Sequence, residues 1–469
     1  MTQWDLIVLG GGSAGFAAAI RAAEAGKTVA LVEGETIGGT CVNVGCVPSK
    51  TLIAAALTRA RTLQTPFDGL GLTAGALDFA AVVRQKQALV EELRQAKYVD
   101  VLAAYPQITW VAGQGRLLGV DPIELEVNGQ RLMAPRLIVA TGAAPWVPPI
   151  PGLADTPFWT STDALAASQR PAQLIVLGAS AVGLELGQFY ARMGSQVTVL
   201  EALDRIVPQE DPDVSAALHD ILQEEGLTLY AGALVQHVAH SEGRFTVTAS
   251  VGGRTLDVAG DALLVATGRR PRTAGLGLAE LGVVLDARGA VVTDPYLQSS
   301  VPTIYAAGDV TGQALFVYVA AAQGTTAASN ALGLDARIND LSALPKVTFT
   351  DPPVASVGLT EGEAEARGLA CDCRVLPLRY VPRALANRDT RGLVKWVVEQ
   401  GSERVLGLHI VAPEAGEMIQ VGVLAVKYDL SLSDLTDLYF PYLTMVEGLK
   451  LAAITFHKDV EKLSCCAGA

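Results

Sequence analysis

Two cysteine pairs carry the chemistry that can be read from this chain of 469 residues. Cys41 and Cys46 lie in Gly38-Gly39-Thr40-Cys41-Val42-Asn43-Val44-Gly45-Cys46-Val47-Pro48-Ser49-Lys50, and Cys465 and Cys466 are adjacent in a tail of small residues. Four of the six cysteines therefore sit in two pairs at opposite ends of the chain. The spacing of Cys41 and Cys46 lets them close a small disulfide ring at the entrance of a helix expected from Ser49 through Leu57. A helix dipole and Lys50 would lower a thiol pKa there. The competing reading is two buried, unpaired cysteines. A zinc site needs further ligands, and none of the five histidines is nearby. Adjacent cysteines make a poor disulfide, because the bridge needs Cβ atoms about 3.5–4.5 Å apart. Cys465 and Cys466 could instead grip a soft metal ion between two thiolates, or be a terminus that merely contains cysteine.

The elements that must position these groups are α/β in type. Leu6 to Leu9 reads as a strand, followed by Gly10-Gly11-Gly12-Ser13-Ala14-Gly15. An Ala-rich helix from Phe16 to Ala25 and a strand from Thr28 to Val32 complete a βαβ unit, ending in Glu33. Gly10 and Gly12 let the backbone approach a pyrophosphate, and Gly15 lets helix and strand pack closely. Ser13 and Ala14, in the turn before the helix, are expected to touch the cofactor, and the free N–H groups of the helix N-terminus attract phosphate. Glu33 stands 18 residues past Gly15, where an acid accepts hydrogen bonds from a ribose.

The pattern recurs. A strand from Gln173 to Leu177 leads into Gly178-Ala179-Ser180-Ala181-Val182-Gly183, a helix through Met193, and a strand from Val197 to Leu200 that ends in Glu201. Ser180 replaces the middle glycine of the motif and crowds the phosphate approach without blocking it. Glu201 favours a free ribose 2′-OH and hence NADH over NADPH, although Arg205 lies near enough to complicate the choice. Two dinucleotide sites in one oxidoreductase suggest FAD plus a nicotinamide. Strand-to-turn signals at Thr141-Gly142 and Thr267-Gly268 close the two nucleotide units. Thr303 to Asp309 delivers Asp309 at the Gly308 turn, as a sugar-binding carboxylate or as an ordinary Asx turn.

The segment from Gly38 to Lys50 resembles the redox-active segment of the flavin-dependent pyridine nucleotide–disulfide oxidoreductases, and the resemblance runs from Asp5 to the C-terminus. It implies that Cys46 contacts FAD as the charge-transfer thiolate, that Cys41 is the interchange thiol, and that Lys50 lies by the flavin paired with Glu185. Gly39 and Thr40 would touch the same cofactor. It also implies two Rossmann-like FAD/NAD(P)-binding domains plus an α+β C-terminal dimerisation domain. The expected limits are 1–150 for the FAD unit, 151–272 for the NAD(P) unit, 273–345 for a central unit completing the FAD site, and 346–469 for dimerisation and the cysteine tail.

Disulfide reductases of the family carry a catalytic histidine five residues before a glutamate near the C-terminus, and the histidine acts across the dimer. Here Glu447 is present and Tyr442 stands at the histidine position. A phenol with an ordinary pKa near 10 is a poor acid–base group at neutral pH. Tyr442, the Leu443-to-Ala453 stretch and Cys465-Cys466 together resemble the mercury(II)-reducing branch of the family. That resemblance implies NAD(P)H, FAD and Hg(II) as cofactors and substrate. It further implies Cys41, Cys46, Cys465 and Cys466 as metal thiols, the tail serving the active site of the other subunit of a homodimer. A disulfide or dihydrolipoamide reductase, and a thiol protein that sequesters metal without reducing it, are the alternatives. Some members carry an additional N-terminal metal-binding domain, which is expected to be absent from, or removed from, this chain.

Composition narrows the partners. A formal charge of −13 argues against nucleic acid and anionic membrane. Apolar residues make up half of the chain and aromatics 6%, which suits parallel sheets covered by Ala-rich helices. No apolar run is expected to reach the roughly 18 uncharged residues of a membrane span, and no signal peptide is read before the first strand. A cytoplasmic location follows as the expectation, and paired cysteines there are more often catalytic or metal-binding than structural. Cys371 and Cys373 remain. On the strand expected to begin there, both point to one face, as a third thiol metal site or as half-buried strand residues.

Overall fold

The computed structural model describes residues 2–462, so Cys465 and Cys466 lie outside the described residues. The first sheet is parallel, with strands ordered Ile304–Ala306, Leu137–Val139, Leu6–Leu9, Val29–Glu33 and Ile108–Ala112. The residue-long apolar runs that form it are buried on both faces, as parallel sheets require: Leu6, Ile7, Val8, Leu31 and Val32 are all fully buried. Truncating such a side chain to Ala typically costs about 2–5 kcal/mol. The strand Ile304–Ala306 comes from far along the chain and pairs with Leu137–Val139, so the segment carrying Gly308 and Asp309 completes the first sheet.

The second unit repeats the plan. Its parallel sheet is ordered Thr228–Tyr230, Gln196–Leu200, Gln173–Leu177 and Ala262–Val265. In each unit the strand runs into a helix, Ser13–Glu24 in the first and Ala181–Arg192 in the second. A Cβ on Gly15 would stand 1.8 Å from the Gly10 carbonyl oxygen, and one on Gly183 would stand 2.0 Å from that of Gly178. Only glycine permits that helix–loop contact, as the sequence pattern requires. Each parallel sheet is flanked by an antiparallel meander, Gly115–Ala134 in the first unit and Ala233–Gly260 in the second.

The C-terminal unit is an antiparallel sheet ordered Lys346–Thr348, Val354–Gly358, Val405–Val411, Leu393–Glu399 and Cys371–Pro377. Helices Ala415–Lys427 and Glu447–Ile454 belong to its core, which is built around Trp396. Trp396 is fully buried, and its indole N–H donates to the Leu449 carbonyl at 3.0 Å. Ion pairs tie this unit to the second one. The Lys395 ammonium donates to Asp211 at 3.0 Å, Asp213 at 2.7 Å and Glu361 at 2.8 Å. Arg192 donates to Glu225 at 2.6 Å and Asp351 at 2.7 Å. Lys395 and Asp211 are buried, where an unpaired charge would be costly.

One helical stretch approaches a membrane span, although Lys50, Arg59 and Arg61 keep it from being an uncharged run. The stretch Gly39–Leu63 is long and apolar enough to span a membrane by length and composition, at a mean hydropathy of 1.3. It consists of two helices, Gly39–Val44 and Cys46–Leu63, broken at Gly45. Part of one face serves the protein interior: Leu52 and Ala56 are packed into the core of the second unit. The helix also starts three residues before the position read from the sequence, so Cys46 is its first residue.

Candidate active site

The redox segment folds against the phosphate loop. A Cβ on Gly39 would stand 2.6 Å from the Gly12 Cα, so the turn Gly38-Gly39-Thr40 rests directly on the loop from Gly10 to Gly15. Asn43 fastens this turn, its side-chain amide donating to the carbonyls of Ile37 at 3.0 Å and Gly39 at 2.8 Å. Cys41 then sits inside the short helix and Cys46 opens the long one. Both are half-buried free thiols.

The two thiols differ in acidity. The hydrogen bond from Cys41 brings the Cys46 thiol down to about 7, Lys50 helps, and burial opposes. The same hydrogen bond, together with burial, drives Cys41 far upward. Cys46 is therefore the group that ionises first, with Cys41 holding the proton between them. A thiolate is the nucleophile and the metal ligand, so this dithiol is poised for either role near neutral pH.

Lys50 reaches into the second unit. Its ammonium donates to Glu185 Oε2 at 2.7 Å, and Glu185 is buried. The other carboxylate oxygen accepts from the Phe349 backbone N–H at 2.9 Å. Lys50 Nζ also lies 4.5 Å from the centre of the Phe349 ring, within cation–π range. The helix bearing Glu185 is pinned to the same C-terminal segment by Gln188, which donates to the Asp351 carbonyl at 2.9 Å and accepts from its N–H at 2.8 Å. Lys50 is thus positioned by groups from two distant parts of the chain.

Glu33 and Glu201 occupy equivalent positions. Glu33 accepts from the Gly11 N–H at 2.6 Å and the Glu35 N–H at 2.7 Å. Glu201 accepts from the Ala179 N–H at 2.7 Å and the Leu203 N–H at 3.0 Å. Each acid braces the loop that precedes its helix. Arg205 does not contest the Glu201 site: it donates to the Pro208 carbonyl at 2.9 Å. Ser180 is exposed at the helix entrance with φ −91°. That backbone is open to any residue, which explains why serine is accepted where the motif has glycine.

Asp309 is a half-buried carboxylate just past the strand Ile304–Ala306 of the first sheet. Burial raises its pKa, and Arg269 beside it opposes the rise. Thr141 donates to the Arg272 carbonyl at 2.7 Å, the Arg272 N–H donates to Gly142 at 2.9 Å, and the Trp146 N–H donates to Gly268 at 2.9 Å. The turns at Thr141-Gly142 and Thr267-Gly268 therefore hold one another across the short pairing of Ala143–Pro145 with Arg269–Pro271. The helix Ser13–Glu24 has no side-chain cap at Gly12. Its free N–H groups, the close-packed glycine loop and the Asp309 carboxylate fit a phosphate-bearing dinucleotide with a polar sugar chain.

Three residues of this site were missed in the sequence. Arg269 follows Gly268 and bonds the Ala143 carbonyl beside Asp309. Tyr98 interacts with Ser13 and faces the charges of Cys41 and Cys46; it packs edge-on against Phe16 at 4.8 Å. It lies in the π-helical turn Gln95–Val99, and such turns often mark functional positions. Phe349 left no local signal. Tyr442 and Glu447 are not carried by the elements bearing Cys41 and Cys46. Tyr442 is half-exposed in the C-terminal unit, and Glu447, its pKa raised by burial, accepts from the Leu443 N–H at 3.2 Å.

Comparison with known proteins places these features in context. A family model described as pyridine nucleotide-disulphide oxidoreductase matches residues 4–324, and the dimerisation domain of the same family matches residues 344–453. The chain is 49% identical over 471 residues to a mercuric reductase of Shigella flexneri, covering 99% of this chain and 82% of that one. It is 45% identical over 473 residues to a mercuric reductase of Streptomyces lividans, covering 100% and 99%. Among solved structures, the Cu(II) complex of the HOCl-induced flavoprotein disulfide reductase RclA from Escherichia coli superposes with a TM-score of 0.87 at 31% identity, covering 98% of this chain and 100% of that one. LpdA from Mycobacterium tuberculosis superposes at 0.85 and 29% identity, covering 98% and 100%.

Proposed function

The chain belongs to the pyridine nucleotide-disulphide oxidoreductase family, and from that premise we propose that it is a mercury(II) reductase acting as a homodimer. The balanced reaction is NAD(P)H plus Hg(II) giving NAD(P)+, a proton and Hg(0). The observation that carries the reading is the Cys41/Cys46 dithiol with its divided acidity beside Lys50. The names of the relatives supply the metal.

The loop of Gly10, Gly12 and Gly15 with Ser13 and Ala14, the acids Glu33 and Asp309, and the Gly39-Thr40 and Thr141-Gly142 turns would hold FAD. That cofactor supplies the two-electron relay between the nicotinamide and the dithiol. Gly178, Ser180, Gly183, Glu201 and Gly268 would hold the nicotinamide dinucleotide, with Glu201 favouring NADH. Cys46 offers a ready thiolate, and Cys41 gives up its proton when Hg(II) bridges the pair. Lys50, fixed by Glu185 and Phe349, keeps positive charge beside Cys46 and adds to the Cys41 hydrogen bond in favouring its thiolate. Hg(II) is soft and prefers sulfur; Hg(0) has little affinity for thiolate and departs. Tyr442 replaces an acid–base histidine, which this reaction does not need, and its phenol can lie beside the incoming metal with Glu447 bracing the adjacent turn. Cys465 and Cys466 collect Hg(II) and pass it to Cys41 and Cys46 of the neighbouring subunit.

Anaerobic NAD(P)H oxidation driven by Hg(II) in excess small thiol, with volatile mercury trapped, tests the reading. One mole of Hg(0) per mole of nicotinamide oxidised is expected. Absence of volatile mercury refutes it. Saturation curves with NADH and NADPH check the coenzyme preference.

A further inference from the structure

Cys371 and Cys373 form a second described thiol pair, on a strand that takes no part in the candidate active site. They occupy alternate positions at the start of Cys371–Pro377, the edge strand of the C-terminal sheet. Cys371 pairs with Glu399 and Cys373 with Val397 in regular antiparallel register. Their side chains therefore leave the sheet on one face. Each thiol influences the acidity of the other. Both are half-buried and pack with Leu359 and Leu369 on the small cluster of Ala364, Val397 and Leu406.

This geometry disfavours a disulfide between them. Two residues of extended strand advance about 6.8 Å, whereas a disulfide needs Cβ atoms about 3.5–4.5 Å apart. A pair held parallel and slightly too far apart can instead be bridged by an ion that accepts one sulfur on each side. The surrounding charge favours a cation. Glu361 and Glu365 lie near Cys371, while Glu361 and Lys395 lie near Cys373. Lys395 is already engaged by three carboxylates. Burial holds both thiols protonated at neutral pH, Cys373 up to about 12. Hard cations and weak thiol ligands would not displace those protons, so occupancy is reserved for strongly thiophilic ions.

We propose that Cys371 and Cys373 form a second binding site for a soft, two-coordinate cation such as Hg(II). Binding breaks two S–H bonds, forms two S–metal bonds and releases two protons, with no change of oxidation state. The ion is held there without reduction, because the pair stands on the outer strand of the C-terminal sheet rather than on the elements that carry Cys41, Cys46 and Lys50.

The test uses the FAD-loaded full chain carrying Cys41→Ser, Cys46→Ser, Cys465→Ser and Cys466→Ser, without NAD(P)H. HgCl2 is added with excess monothiol, and retained mercury is measured after gel filtration. One mercury per chain is expected, with one metal protecting Cys371 and Cys373 together from alkylation. Adding Cys371→Ser or Cys373→Ser alone should reduce retention at least ten-fold, since a chelate fails when either arm is lost. Flavin content reports folding of each variant. Halved retention in the single variants would show two independent thiols and overturn the proposal, as would no retention in the parent. Neither result bears on reduction at Cys41 and Cys46, because those thiols are absent from the assay.

Discussion

The Lys50 ammonium meets the Glu185 carboxylate at 2.7 Å across 135 positions of sequence, joining the redox helix to the helix of the second nucleotide unit. The same carboxylate takes its second hydrogen bond from Phe349 in the C-terminal unit. One buried acid therefore sets where the lysine charge lies relative to Cys46.

Replacing Lys50 by Met leaves Glu185 with the Phe349 N–H as its remaining partner. A buried carboxylate stripped of its charge partner costs about 1–3 kcal/mol after allowance for the partial exposure of Lys50. The Glu185→Gln variant keeps a hydrogen-bonding side chain and should lose less. Urea midpoints of the flavin-loaded proteins compare the two, and a larger loss for Glu185→Gln would contradict this account.

Cys46 should alkylate first, with a pH profile that rises through about 7. The sign follows from the groups around Cys46. Its hydrogen bond from Cys41 and the charge of Lys50 stabilise the thiolate, so Cys41→Ala and Lys50→Met both move the profile to higher pH. The reduced protein, treated with iodoacetamide and mapped by peptide mass, gives the profiles. A profile for Cys46 centred near its ordinary thiol value would remove the basis for a poised thiolate.

Tyr442 stands where disulfide reduction needs a group titrating near neutrality. Turnover of glutathione disulfide or lipoamide should be negligible in the unaltered protein. Tyr442→His, with Glu447 in place, should raise disulfide turnover at least ten-fold. Family-typical rates without the substitution would sink the argument.

The tail is tested by separating two steps. Cys465→Ala with Cys466→Ala should lower Hg(II) turnover in excess thiol about ten-fold or more, while NAD(P)H still bleaches the flavin at the original rate. Mixed dimers of this variant with Cys46→Ser should show more activity than either homodimer. No recovery on mixing would argue that the tail acts within its own chain.

Much of this protein was legible from residues close together in sequence. Glycine spacing, strand periodicity and a terminal acid define each nucleotide unit within about thirty residues, because one turn and one helix–strand contact determine the pattern. The redox pair and its lysine were legible for the same reason: they share one short segment. The tertiary structure decided what depends on several elements meeting. It put Phe349 on Lys50 beside the Glu185 partner that the family resemblance already implied, Arg269 beside Asp309, and Tyr98 near both thiols. It also turned Glu33 and Glu201 back onto their own loops. Those contacts arise from packing between distant parts of the chain, where composition and spacing carry no register. The division of acidity between Cys41 and Cys46 belongs to this second class, since burial, a mutual hydrogen bond and the placement of Lys50 all enter it.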